Sequence, residues 1–193
     1  MPEFLRKLAL VAALGLVTAA CAQPARTSAM IADVSQNAVL VDGSPLKNSV
    51  ELSVVTGGKK TDPMWISEVS NEDFSSALRL SLKQHTMLSE ANGPLVLTTT
   101  LISLEQPIMG FDMTVTSTVR YQVAHATNGS VFDETIKTPY PANFSDAALG
   151  AERLRLANEG TIRTNIKPFI DALITASKKD PGKFGGDVRL RTS

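Results

Sequence analysis

The sequence predicts an α+β fold: an antiparallel sheet of about four strands with two helices packed on one face. Two stretches indicate strands, because 95–104 is rich in Leu, Val, Ile and Thr and 113–123 alternates apolar with polar residues. Two other segments, 71–85 and 148–177, repeat apolar residues at helical spacing. The order of these elements along the chain favours a sheet covered by helices.

The first two elements are a strand and a helix. Apolar and polar residues alternate over 50–54, which predicts a strand, and a loop with glycines and lysines follows at 57–60. Ser70 or Asn71 then caps a helix, because short polar side chains accept hydrogen bonds from the free amides of a first turn. The predicted buried face of this helix consists of Phe74, Ala77, Leu78 and Leu82.

A hairpin follows, with its turn at Asn128-Gly129, a dipeptide that favours two-residue turns. Such a turn places Tyr121 opposite Ile136 and His125 opposite Phe132. One face of the hairpin is then apolar and the other polar, and a shift of one residue would destroy this sorting.

The last predicted element is the helix 148–177, with Ser145 as its cap. Gly160 weakens its middle and Pro168 removes a backbone donor, so one bent helix and two separate helices both fit the pattern. The residues that form its apolar stripe are Ala151, Leu154, Ile162, Ile166, Phe169 and Leu173.

Composition excludes several classes of function. The chain has 193 residues with 19 basic and 19 acidic side chains, whereas nucleic-acid binders carry a basic surplus. A single cysteine and two histidines do not supply an internal disulfide or a cysteine- or histidine-built metal site. We therefore expect no cofactor, no metal and no nucleic-acid partner.

The N-terminus has the three parts of a secretory signal peptide. Arg6 and Lys7 are followed by the uncharged apolar run 8–17 and then by small residues up to Ala20. The run is too short to span a membrane, which takes about 20 residues. The sequence therefore predicts export and cleavage.

The stretch Thr18-Ala19-Ala20-Cys21 resembles the lipobox of bacterial lipoproteins. The resemblance implies cleavage between Ala20 and Cys21 and acylation of Cys21, so that the chain meets the membrane through its N-terminal lipid. Thr18 departs from the leucine that is commonest in the motif, and an ordinary signal peptide with a chance cysteine is the alternative. Ala22, where aspartate would favour inner-membrane retention, implies the periplasmic face of the outer membrane; an inner-membrane lipoprotein or a soluble periplasmic protein are the alternatives.

These observations divide the chain into four parts. Residues 1–20 are the signal peptide, 21–48 the lipidated cysteine and a flexible tether, 49–177 a periplasmic α+β domain, and 178–193 a disordered basic tail. A flexible tether of this length has a mean reach of roughly 30 Å, which would hold the domain clear of the lipid.

No residue is predicted to be catalytic. His125 ends a strand and His85 ends a helix, and neither has a serine or cysteine at a spacing that implies a triad. The loop 57–60 lacks the spacing of a phosphate-binding loop. We therefore expect a non-enzyme, with an envelope lipid or glycan carrier or enzyme, using a pocket near His125, as the alternative.

Two apolar features fit partner binding. Ile108, Met109 and Phe111 lie in a predicted turn, where polar residues are usual. They either fold back over the sheet or form an exposed tip that docks on a partner or enters lipid. Trp65 either packs against the first helix or anchors a partner.

Four stretches resemble small outer-membrane lipoproteins of alphaproteobacteria: Pro63–Ser67, Gln106–Asp112, Thr118–Tyr121 and Glu152–Gly160. The order of elements is also similar to that of the LPS-assembly lipoprotein and related periplasmic α+β lipoproteins. The resemblance implies a location and no activity, because fold alone does not fix function. We expect a lipid-anchored binding or envelope-assembly module that contacts envelope proteins.

Overall fold

The computed structural model describes residues 22–34, 40–62, 66–107 and 112–185. Its elements are α1 (Thr27–Met30), β1 (Val50–Thr56), α2 (Asn71–Gln84), β2 (Leu95–Glu105), β3 (Met113–His125), β4 (Gly129–Ala142) and α3 (Gly150–Lys179). The predicted α+β class and the four strands are confirmed, but the described residues contain three helices where two were predicted, because a single turn, α1, forms at 27–30. Within the described ranges, no helix is both long and apolar enough to cross a membrane.

The sheet has the order β1-β2-β3-β4, and it is mixed. β2, β3 and β4 are antiparallel neighbours, but β1 runs parallel to β2. The expectation of a purely antiparallel sheet is therefore wrong at this edge. The physical reason is α2. The helix carries the chain back to the end of the sheet where β1 began, so β2 runs in the same direction as β1.

The β3–β4 hairpin keeps the predicted faces but not the predicted pairing. Tyr121 lies opposite Glu134, and Val119 lies opposite Ile136, a shift of two residues from expectation. Gly129 alone of the Asn128-Gly129 pair has a positive φ, of 71°, and the register shifts between Val123 and Ala124. Up to Val123, a shift of two residues leaves the side chains on their expected faces, because the side-chain period of a strand is two. Beyond the irregularity, His125 lies opposite Gly129 and not opposite Phe132.

The main core lies between the buried face of the sheet and the helices. Tyr121 is fully buried and stacks on Phe169 of α3, with ring centroids 4.0 Å apart. Its hydroxyl donates a hydrogen bond to Oδ1 of Asn165, at 2.9 Å, and Nδ2 of Asn165 donates to the carbonyl of Ile136, at 3.0 Å. α3 runs as one continuous helix through Pro168, which answers the question that the sequence left open.

Residues 22–34 and 40–48 are not the expected flexible tether. Ala25, Met30, Ala32 and Leu46 belong to the buried core, and the amide of Ala32 donates to Oγ of Ser81, at 3.0 Å. The segment has a linker-like composition, yet its few apolar side chains are buried against the helices.

The C-terminal segment also differs from expectation. α3 continues to Lys179, and Phe184 is 2% exposed in the core. Nδ2 of Asn128 donates to the carbonyl of Lys183, at 2.8 Å, which ties this segment to the β3–β4 turn. The predicted disordered tail is thus wrong for residues 178–185, whereas 186–193, like the signal peptide 1–20 and Cys21, lie outside the described residues.

Candidate functional site

One end of the molecule gathers most of the features that could serve a function. We call it the loop end; it comprises residues 22–24, 57–62, 66–70, 105–107, 112–113 and 142–150. β1 and β2 end here, β3 starts opposite the end of β4, and α2 and α3 begin here. The opposite end, the hairpin end, comprises residues 85–94, 125–130 and 180–185.

Ser67 ties three parts of the loop end together. This residue is fully buried, and its carbonyl accepts hydrogen bonds from Nε2 of Gln106, at 2.9 Å, and Nδ2 of Asn158, at 2.8 Å. Its hydroxyl donates to the carbonyl of Gln23, at 2.7 Å. The start of the described chain is therefore fixed to the loop before α2, to the end of β2 and to α3.

A buried carboxylate fixes the same N-terminal segment a second time. Glu159 of α3 is 2% exposed, and its Oε1 accepts from the backbone amide of Arg26, at 2.9 Å. The guanidinium of Arg26 donates to both carboxylate oxygens, at 3.0 and 3.1 Å, and Nη1 of Arg155 donates to Oε1, at 2.6 Å. The hydrogen bond to Glu159 raises the pKa of Arg26. Charge-assisted bonds of this kind hold a segment in one geometry.

Two clefts open beside this segment. The N-terminal cleft, of about 360 Å³, is lined by Ala22, Pro24, Lys60, Thr61, Ser70, Glu72 and Asp73. The arginine cleft, of about 290 Å³, is lined by Arg26, Ala29, Tyr140, Ala142, Asp146, Leu156, Glu159 and Arg163. Arg163 in the arginine cleft donates to the carbonyl of Ala29, at 2.8 Å, and lies over the ring of Tyr140. Arg26, Glu159 and Arg163 therefore serve the packing of the N-terminal segment, whereas Asp146 accepts from the amide of Asn143.

Large apolar side chains are exposed at the loop end. Ile66 is 44% exposed, Phe144 54% and Leu149 51%. The amide of Phe144 donates to Oδ1 of Asp112, at 3.2 Å, and the guanidinium of Arg153 lies 5.1 Å from the centre of its ring. These contacts hold an apolar surface in place at the end of the sheet.

The residues predicted to bind a partner, Trp65, Ile108, Met109 and Phe111, lie outside the described residues, and so does Cys21. The chain enters and leaves both of these apolar segments at the loop end. Asp62 pairs with Ile66 across the first, and Gln106 and Asp112 flank the second.

The two histidines are at the other end. Nδ1 of His125 lies 3.0 Å from Oγ1 of Thr127, and this half-buried ring lines neither of the two clefts. Nδ1 of His85 lies 2.7 Å from the carbonyl of Ser81. Among the described residues, no group of three or more His, Cys, Asp or Glu could hold a metal ion.

The residues that organise the loop end are not marked by any sequence motif. Glu159 is far from Arg26 along the chain, and it pairs with Arg26 and Arg155 instead of facing solvent. Gln106 and Asn158 are single amides without a motif. A weak signal existed in Arg155 and Glu159, which lie one helical turn apart and form an i,i+4 ion pair.

Comparisons with solved structures find similarity to several bacterial proteins. Protein XCC0632 from Xanthomonas campestris, described under the DUF330 family, superposes with a TM-score of 0.52 at 10% identity, covering 69% of this chain and 88% of that one. The hypothetical protein CT253 from Chlamydia trachomatis has a TM-score of 0.50 at 8% identity, covering 68% and 98%. A minor lipoprotein from Acinetobacter baumannii has a TM-score of 0.47 at 9% identity, covering 67% and 94%.

At the level of sequence, a scan of family models and a search of curated proteins both give no match. Identities this low report on fold and not on activity. The chain therefore shares the α+β fold of the proteins from Xanthomonas and Chlamydia.

Proposed function

We propose that the chain is a lipoprotein of the outer membrane, anchored by lipid on the periplasmic face, which acts as a non-enzymatic binding or assembly module for envelope proteins. One observation carries this proposal: the signal pattern and Thr18-Ala19-Ala20-Cys21 lie directly before a segment that is bonded to the domain through Gln23 and Arg26. Cleavage before Cys21 would remove the whole signal segment and leave the domain intact.

Acylation at Cys21 supplies enough apolar surface for stable attachment. Each buried methylene contributes about 0.8 kcal/mol, and two or more chains are needed to keep a protein on a membrane. The lipobox resemblance implies a diacylglycerol on the thiol and an acyl group on the new amino terminus. Ala22, in the place of an inner-membrane aspartate signal, supports the outer membrane.

A binding role is supported by the surfaces of the domain. One face of the sheet is open, with exposed Arg120, Thr135 and Lys137. Glu159, one of the two carboxylates in the arginine cleft, already accepts hydrogen bonds from two arginines, so it supplies no free general base. His125, the residue on which the enzyme alternative depends, has its described hydrogen-bond contacts with Thr127.

Metabolic labelling with palmitate tests the attachment. We expect label in the full chain and none in Cys21→Ser, with the wild type in the outer-membrane fraction. Equal labelling of both, or none in either, would refute the lipoprotein proposal.

Crosslinking in intact cells, followed by purification under denaturing conditions, tests the binding role. Recovery of a defined envelope complex supports it. Turnover of an envelope lipid or glycan by the purified chain, lost in His125→Ala, would replace it with the enzyme alternative.

A further inference from the structure

We propose that the loop end lies directly against the bilayer surface and that Phe144 and Leu149 contact lipid there. This inference rests on the proposed acylation of Cys21. The sequence predicted a domain on a flexible tether. In this proposal the domain is attached without a spacer and keeps one orientation relative to the membrane.

The first step is the position of the attachment point. Ala22 is only 7% exposed, and Pro24 lies with it in the N-terminal cleft. Neighbouring Cα atoms are 3.8 Å apart, so a lipid on the residue before Ala22 would be joined to the folded domain without a spacer. A free tether of the length predicted from sequence would have given roughly 30 Å of reach.

The second step is the rigidity of this attachment. The hydroxyl of Ser67 holds the carbonyl of Gln23, and the carboxylate of Glu159 holds both the backbone and the guanidinium of Arg26. Because these contacts join the segment to the loop before α2 and to α3, the domain does not turn freely about its N-terminus.

The third step is what surrounds the attachment point. The arginine cleft brings the N-terminal segment to this surface, because Arg26 lines it together with Ala142 at the end of β4 and Asp146 of the loop that precedes α3. Leu149, half exposed, immediately precedes the start of α3, and Phe144 and Ile66 are exposed at the same end. Apolar side chains beside a lipid anchor enter the boundary between headgroups and acyl chains.

Lipid is a better occupant of this surface than a protein partner, because the anchor already places lipid beside it. Charge attraction does not supply the lipid contact, since the N-terminal cleft has two acidic residues, Glu72 and Asp73, against Lys60; the contact is apolar. The hairpin end differs in its turn: Ala126, Thr127 and Asn128 are all exposed there, and none carries a large apolar side chain.

The chemistry of the chain allows a clean test. Cys21 is the single cysteine, and acylation consumes its thiol, so a cysteine introduced elsewhere is the one thiol free to react. We would purify the full lipidated chain as Leu149→Cys and, as the matched control, as Ala126→Cys. Both positions are exposed, at opposite ends of the domain. Each is labelled with an environment-sensitive fluorophore and reconstituted into phosphatidylethanolamine–phosphatidylglycerol vesicles.

The proposal expects the label at Leu149→Cys to shift to the blue and to be quenched by lipids that carry a nitroxide close to the headgroup. The label at Ala126→Cys should show neither effect. Absence of quenching at Leu149→Cys, in protein whose mass confirms acylation, would overturn the proposal and leave the lipoprotein assignment standing. A mass without acyl groups would overturn both.

A spacer variant tests the geometric cause. Insertion of about 20 Gly and Ser residues between Ala22 and Gln23 adds a mean reach of roughly 25 Å and preserves the residues around the processing site. We expect lipidation to persist and quenching at Leu149→Cys to be lost. Quenching that survives the spacer would overturn the claim that a short attachment holds this end on the membrane.

Discussion

The two ends of this sheet are built from the same strands, yet they are held together differently. At the loop end, bonds between residues far apart in sequence fix the chain, as between Gln23 and Ser67 or Arg26 and Glu159. At the hairpin end, distant residues are joined mostly by backbone hydrogen bonds, as from Asn48 to Thr86 and from Ala126 to Pro94, and Asn128 bonds the 182–183 backbone.

Their exposed surfaces differ as well. The loop end exposes Ile66, Phe144 and Leu149, whereas the turn at the hairpin end is small and polar, although Val41, near the 44–49 segment that reaches this end, is also exposed. The alternation of apolar and polar residues along the strands therefore does not predict which side chains are exposed at the two ends of the sheet. What each end can do is decided by a few side chains outside the strands.

The largest effect that separates the two ends is expected from Glu159→Gln. This change removes the charge from a buried carboxylate that holds two arginines, and breaking a buried pair costs about 3 kcal/mol or more. We expect lower stability in urea and faster amide exchange in residues 22–34 than in 125–130. Uniform loss of protection across both ends would refute the idea that Glu159 acts locally.

Asp133→Asn is the matched control. Asp133 forms an equally bidentate pair with Arg120, but on the open face of the sheet, where both side chains are more than one third exposed. Exposed pairs contribute about 0–1 kcal/mol, so this variant should unfold almost as the wild type does.

A second, smaller effect is expected from Gly160→Ala. A Cβ at this position would lie 2.2 Å from the ring of Tyr140, so α3 would have to move away from the end of β4. Overpacking costs about 1–3 kcal/mol, against a gain of about 1 kcal/mol in helix propensity. We expect a net loss of stability in urea; a gain would show that Tyr140 moves aside without cost.

The elements of this fold were predictable where a periodic pattern determines them. Ser70 caps α2 as expected, accepting from the amide of Asp73, because capping depends on a few neighbouring residues. The hairpin pairing was wrong by two residues, since Asn128-Gly129 fits both a two-residue turn and a bulged longer one.

The candidate site was less predictable than the fold. Its attachment point depends on Glu159 meeting Arg26, a contact between residues separated by most of the chain. The segment 22–34 looks like a linker because its small residues have no periodicity, and their burial is decided by the surfaces of α2 and α3. A pattern among neighbouring residues does not predict burial of this kind, because the burial depends on tertiary contacts.

A smaller change confined to the hairpin end is expected from Gly129→Ala. Its φ of 71° is unfavourable for residues with a Cβ, although no atom stands within 4 Å of the position that the Cβ would take. Left-handed backbone costs about 1–2 kcal/mol for such residues. We expect a loss of about 1 kcal/mol in urea, partly recovered in Gly129→Asn because asparagine tolerates this conformation. Equal losses in both variants would point to a cause other than φ.

The smallest expected effect concerns pH at the loop end. Burial raises the pKa of Glu68 above its ordinary 4.5, although Lys59 opposes the shift. The folded state therefore holds this proton more tightly than the unfolded state, and its contribution to stability is present at low pH and lost as pH rises through the folded pKa. In Glu68→Gln that loss is absent, so the stability of the wild type relative to the variant should fall as pH rises above about 4.5. Urea unfolding of both proteins across this range measures the difference, and a difference independent of pH would show that Glu68 is solvated in the folded domain.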